Sequence, residues 1–155
     1  MQGVWLFISG GAGVGKTTVL RTLEDRFPAF VYQDLDALYL DDTGETCVDV
    51  SPASKAWLQG KLDAFIFSQE KPIILAGINF LDNDLRATHR IVLDTRILTV
   101  MARLWHRAPA YGENRWLSLW GGFCAWRVRC VLIHQGFLPM TEDALLHFIE
   151  GRLTP

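Results

Sequence analysis

"ISGGAGVGKTT", residues 8–18, decides how the rest of the chain is read. Gly10, four intervening residues, then Gly15, Lys16 and Thr17 fit the spacing G-x-x-x-x-G-K-[ST]. A loop of this kind wraps a polyphosphate in backbone N–H groups while its lysine reaches the outer phosphates. The motif needs a buried strand before it and a helix after it. "VWLFIS" at 4–9 has the apolar, β-branched and aromatic composition of such a strand. "KTTVLRTLEDRF" at 16–27 places Val19, Leu20, Leu23 and Phe27 on one helical face. The stretch therefore predicts a nucleotide site made by Gly10, Gly11, Ala12, Gly13, Val14, Gly15, Lys16, Thr17 and Thr18.

Outward from the loop, the chain alternates short apolar runs with helical patterns. A second strand is expected at 29–33, and Ser51 with Pro52 opens a helix over 52–70 with Trp57, Leu58, Leu62, Phe65 and Ile66 as its stripe. A third strand follows at 72–80 and a fourth at 90–94. Then come a helix over 95–107, a loop "APAYGEN" at 108–114, a helix over 113–134, a strand at 136–140, and a helix over 142–151 capped by Thr141. On the 113–134 helix, the Trp116, Leu119, Trp120, Phe123 and Trp126 stripe reads as core packing. Such alternation means βαβ units, a parallel sheet with helices on both faces, and a ligand site beyond the carboxyl ends of the strands.

At 155 residues, half of them hydrophobic, the chain has the size of a single domain spanning 1–155. No apolar run approaches the roughly 18 residues of a membrane span, and "VWLFI" lacks the length and basic flank of a secretion signal, so a soluble cytoplasmic protein is expected. Cys47, Cys124 and Cys130 have no C-x-x-C spacing and read as free or buried thiols.

Net charge is −2 but unevenly placed. Asp34, Asp36, Asp41, Asp42, Glu45 and Asp49 follow one another with no basic residue among them. Between 86 and 129 stand the arginines 86, 90, 96, 103, 107, 115, 127 and 129, against Asp94 and Glu113. Guanidinium forks bind phosphate oxygens in bidentate fashion, which gives the arginine-rich half a use beside a polyphosphate. Motors and switches of the phosphate-loop class carry a magnesium-holding carboxylate at the end of an apolar strand. Here that place holds Ala76 and Gly77. The acidic function falls to Asp34 and Asp36, which two-residue spacing at a strand end would point to one face, toward metal and acceptor. Either can instead cap the turn at "DLDAL".

The combination resembles the small P-loop kinases, the group of shikimate, gluconate, chloramphenicol and nucleoside monophosphate kinases. The resemblance rests on "GGAGVGKTT", on "DLD" after strand two, on "ILAGI" at strand three, and on "IVLDTRILTVMARLWHR". It implies a P-loop NTPase fold of four to five strands in the order 2-3-1-4-5, with an acceptor-side helical segment at about 36–70 and a lid at about 103–115. It further implies ATP and Mg2+ as cofactors. Lys16 would stabilise the transferred phosphoryl group, Thr17 would ligate the metal with Asp36 as the acidic candidate, Asp34 would contact metal or acceptor as a catalytic residue, and Arg103 and Arg107 would close over the phosphates. Asp34, Asp36, Gly77 and Asn79 would line the acceptor. Arg103 and Arg107 are four apart, on one helical face, immediately before "APAYG", whose proline and glycine suit a moving loop. Arg115, Arg127 and Arg129 are further phosphate candidates.

In one respect the chain departs from that group, whose nucleotide and shikimate members bind anionic acceptors with arginines between strands two and three. Residues 27–85 hold no arginine, only Lys55, Lys61 and Lys71. The acceptor expected is a neutral or cationic hydroxyl compound, a small molecule or nucleoside. The alternatives are a nucleoside monophosphate kinase, a kinase for a hydroxyl carried on nucleic acid, which near-neutral charge does not favour, and a nucleotide-gated binding module without transfer chemistry. No membrane partner is expected, and the sequence is silent on oligomeric state.

Overall fold

The computed structural model describes residues 3–38, 52–77, 86–111 and 114–153. The strands are β1 (Val4–Ser9), β2 (Val31–Asp34), β3 (Ile73–Gly77), β4 (Ala87–Leu93) and β5 (Leu138–Met140). The helices are α1 (Lys16–Arg26), α2 (Leu35–Leu38), α3 (Pro52–Ser68), α4 (Ile97–Arg107), α5 (Arg115–His134) and α6 (Glu142–Leu153). The five strands form one parallel sheet, ordered β2-β3-β1-β4-β5 and flanked by helices, the arrangement of a P-loop NTPase. Val31 to Asp34 run beside Ile73 to Ala76, and Ile91 to Leu93 beside Leu138 to Met140. β3 is buried along its whole length, as a strand covered on both faces must be. β5 lies at the edge, which is where Pro139, with no N–H to give a ladder, is tolerated. Among the described residues no helix is long and apolar enough to cross a membrane.

Two compact units make up the chain, Met1–Ile8 with Leu20–Arg90 and Ser9–Val19 with Ile91–Pro155. In the first, Leu6, Leu23, Leu62, Ile73, Ile74 and Leu75 are fully buried. Tyr32 donates its hydroxyl to the carbonyls of Leu23 (2.9 Å) and Phe27 (2.7 Å), so a side chain from β2 closes the end of α1. Burial, and then the charge of Glu24, push that hydroxyl up to about 12. In the second unit Ile91, Val92, Leu145 and Ile149 are buried to within 1%.

Several sequence expectations shift by a few residues. β2 starts at Val31 and runs to Asp34, β4 starts at Ala87, and α4 starts at Ile97. The end expected for the third strand, 78–80, lies outside the described residues, as does the Ser51 cap. The start of the expected loop continues as a 3-10 turn, Ala108–Tyr111, because Ala108 is fully buried and its N–H still reaches the Leu104 carbonyl. Thr141 does cap α6, accepting from the Ala144 N–H at 3.3 Å. Trp57 lies at the surface beneath the Lys61 ammonium, 4.2 Å from its ring centre.

The larger correction concerns α5. Its aromatic stripe faces solvent, and the buried face is Gly122, Ala125 and Leu132. Small residues are what this packing needs. A Cβ on Gly122 would come within 2.7 Å of Met101, and one on Gly11 within 2.4 Å of the Ala125 backbone, so α5 sits too close for large side chains.

Candidate nucleotide site

The phosphate loop runs from the end of β1 into the first turn of α1, all within the unit of 9–19 and 91–155. Gly13 and Gly15 hold φ of 78° and 102°, values that a side chain disfavours and glycine accepts. Three side chains hold the loop by its carbonyls. Lys16 Nζ donates to Gly10 (2.8 Å) and Gly11 (3.0 Å), Thr95 Oγ1 to Val14 (2.9 Å), and Arg103 Nη1 to Val14 (3.1 Å) and Gly13 (3.4 Å). With carbonyls engaged in this way, the loop and the N-terminus of α1 have their N–H groups and the positive end of a helix dipole to offer an anion. Val14 is buried and Ala12, Thr17 and Thr18 are exposed.

Arg103 is thus the sequence-predicted lid residue that the structure brings to the loop. Arg107 stands one helical turn further along α4, exposed. Arg129 is committed elsewhere, its Nε and Nη2 donating to the two carboxylate oxygens of Asp94 at 2.9 and 3.0 Å. That pair joins α5 to the end of β4 and borders a small cleft beside the loop, with Gly10, Gly11, Thr95 and Trp126 along its walls. Composition alone could not pair Arg129 with Asp94, 35 positions apart.

The acceptor candidates belong to the other unit. Asp34 ends β2 and its Oδ1 accepts the Asp36 N–H at 3.0 Å, so it caps the first turn of α2. Asp36 is already helical, and strand alternation therefore does not align the two carboxylates on one face. Gly77 has a packing reason. A Cβ there would meet that of Leu35 at 2.6 Å, and Leu35 is buried. Asn79, like the acidic residues at 41, 42, 45 and 49, lies outside the described residues.

With the strand order and the glycine loop on the page, solved structures align over most of the chain. The shikimate kinase of Bacteroides thetaiotaomicron does so at 17% identity over 90% of this chain and 86% of that one, with a TM-score of 0.61. The fold is that of the small P-loop kinases. TT1252 of Thermus thermophilus aligns over the whole of both chains at 16% identity and TM-score 0.64. The shikimate kinase of Acinetobacter baumannii, solved in complex with shikimate, aligns over 99% of this chain and 96% of that one at 14% identity and TM-score 0.57. No protein family and no curated protein matches the chain in sequence. At such identities the likeness to these structures is one of fold.

The close approach of loop and helix gives a test of the site's architecture. Gly11→Ala is expected to lower unfolding free energy by about 3 kcal/mol, because its Cβ would strike main chain that no rotamer change can move. Chemical denaturation measures it, and a loss under about 0.5 kcal/mol would show that α5 yields.

Proposed function

We propose that the protein is an ATP-dependent kinase, one catalytic domain that transfers the γ-phosphoryl group of Mg-ATP to a hydroxyl of a small molecule or nucleoside-like acceptor. The observation that carries this reading is Arg103, which α4 delivers onto the Gly13 and Val14 carbonyls of the phosphate loop. A loop alone binds nucleotide, whereas an arginine beside it can stabilise charge on a phosphoryl group in transfer. The residues present fit a magnesium nucleotide. Gly13 and Gly15 hold positive φ, and a Cβ at either would press on Leu104 or Arg103 at 2.9 Å, so glycine at both positions keeps the loop in the path that turns its N–H groups to an anion.

When bound, Mg-ATP supplies the phosphoryl group and the metal's charge. Residues 10–18 would hold the phosphates through backbone N–H groups, Lys16 would place an ammonium against their oxygens, and Thr17 would offer a hydroxyl to the metal, Asp36 and Asp34 being the candidates for its acidic ligand. Arg103, seconded by Arg107 in a lid at 103–115, places a guanidinium over the phosphates and excludes water. Asp34 would hydrogen-bond the acceptor hydroxyl and take its proton, while Gly77 and Asn79 would line the acceptor beside the helical segment at about 36–70. The acidic run from Asp34 to Asp49 and the lack of arginine over 27–85 favour an acceptor without phosphate or carboxylate.

An ADP-release screen across neutral hydroxyl compounds, nucleosides, nucleoside monophosphates and shikimate tests this. A neutral or cationic acceptor is expected to be best. A monophosphate or carboxylate acceptor in first place would overturn the acceptor reading, and no ADP release with any acceptor would favour a binding module. Asp34→Asn keeps the cap, since asparagine serves α2 as well, but removes the charge. It is expected to lower turnover about 100-fold or more with ATP affinity unchanged. Unchanged turnover would assign Asp34 to capping alone.

A further inference from the structure

Helix α5 turns its most apolar side chains outward. Trp116 is 72% exposed, Trp120 65% and Phe123 43%, with Trp126 at 46% on the flank. Trp116, Trp120, Phe123 and Arg127 recur at intervals of four, three and four, which is one stripe of a helix. The rings touch in series. Trp120 and Phe123 lie 5.5 Å apart, Phe123 and Trp126 5.8 Å, and Trp116 meets Trp105 edge-on at 5.6 Å. A contiguous patch of this kind on a chain's surface marks a contact with something else.

The charges on the helix narrow what that something is. α5 carries no acidic residue, and its three arginines differ in commitment. Arg129 is held by Asp94, Arg115 lies over the Trp105 ring at 5.4 Å, and Arg127 has no hydrogen-bond or ion-pair partner among the described residues. One uncommitted cation amid the rings is poor provision for a phosphate backbone or an anionic membrane, both of which draw their affinity from many cations. It is good provision for an aromatic ring, over which a guanidinium is attracted.

We propose that the stripe is the contact face between two copies of this chain, with their α5 helices antiparallel about a two-fold axis passing between Trp120 and Phe123. The sequence of the helix is self-complementary in that register. Trp120 meets the partner's Phe123, and Arg127 meets the partner's Trp116, a ring under a cation at each end. Both contacts occur twice by symmetry, as a two-fold interface requires. The four exposed rings present on the order of 500 Å² per chain, so pairing buries about 1,000 Å², the lower bound for a specific interface. An interface of this size sits at the weak, transient end, so the dimer is expected to form only toward the upper part of a range of about 1 to 100 µM.

Sedimentation velocity over about 1 to 100 µM chain tests the face and the register together. The wild type is expected to pass from one to two chain masses across this range. Trp120→Ala with Phe123→Ala, and separately Arg127→Glu, are expected to hold the mass at one chain with an unchanged circular dichroism spectrum, because these side chains are exposed. Adding Trp116→Arg to Arg127→Glu is expected to restore the dimer through ion pairs across the axis. Within one chain those positions are about 16 Å apart along the helix and do not reach each other. A single-chain mass throughout, a dimer indifferent to the double alanine variant, or no rescue by Trp116→Arg would each overturn the proposal. So would single-stranded oligonucleotide or anionic vesicle binding that vanishes in the alanine variant.

Discussion

Lys16→Ala is expected to cut phosphoryl transfer by at least about 10³-fold, with the fold retained. The side chain's two bonds to the Gly10 and Gly11 carbonyls contribute to loop stability, so unfolding free energy is expected to fall by about 1–2 kcal/mol, a few degrees in melting temperature for a chain of this size. The two effects differ enough to be read separately. Loss of loop structure would abolish nucleotide binding, whereas loss of the ammonium alone acts chiefly on the charge that develops during transfer. Measuring ATP affinity by calorimetry beside single-turnover transfer distinguishes them. Turnover within tenfold of wild type would refute the kinase reading.

Removing Arg103 is the second large effect. Arginines that stabilise a transferring phosphoryl group contribute about 10³ to 10⁵ in rate. Arg103→Ala together with Arg107→Ala is expected to lose transfer in that range, with Arg103 responsible for most of it because it is the one at the loop. Stability should hardly change, since Arg103 is exposed and such contacts contribute under about 1 kcal/mol. Arg103→Lys keeps the charge without the fork and is expected to recover only a minor part of the rate. A double-alanine loss below tenfold would return both arginines to an ordinary helix surface.

The phosphate loop and the strands themselves were legible because their signals are local, a motif of fixed spacing and buried strands written as continuous apolar runs, whereas the order of the strands was implied only by the resemblance to the small P-loop kinases. Val19, Leu20, Leu23 and Phe27 are buried as their spacing required. What was hidden depends on neighbours remote in sequence. Periodicity found the two faces of α5 but not which one turns inward, since the inward face is defined by how closely Gly11 and Met101 approach Gly122 and Ala125. The paired aspartates misled for a different reason. α2 begins directly after Asp34, so the alternation of a strand ends one residue too soon to align Asp36 with it. Gly77 answers to Leu35, a partner 42 positions earlier that no local pattern names.

The contact between Gly11 and Ala125 bears on how this chain can change by descent. The clash that any side chain at 11 would meet involves the Cα of residue 125 as well as its methyl group, so no replacement at 125, glycine included, makes room. Position 11 is held by the path of the main chain, while position 16, under the proposed function, is held chiefly by chemistry. If the proposed transfer were no longer selected, loss of Lys16 would cost only the loop's two hydrogen bonds, whereas a side chain at 11 would strike main chain. A descendant of this chain with a lost lysine and an intact glycine would keep the architecture whatever became of the proposed reaction.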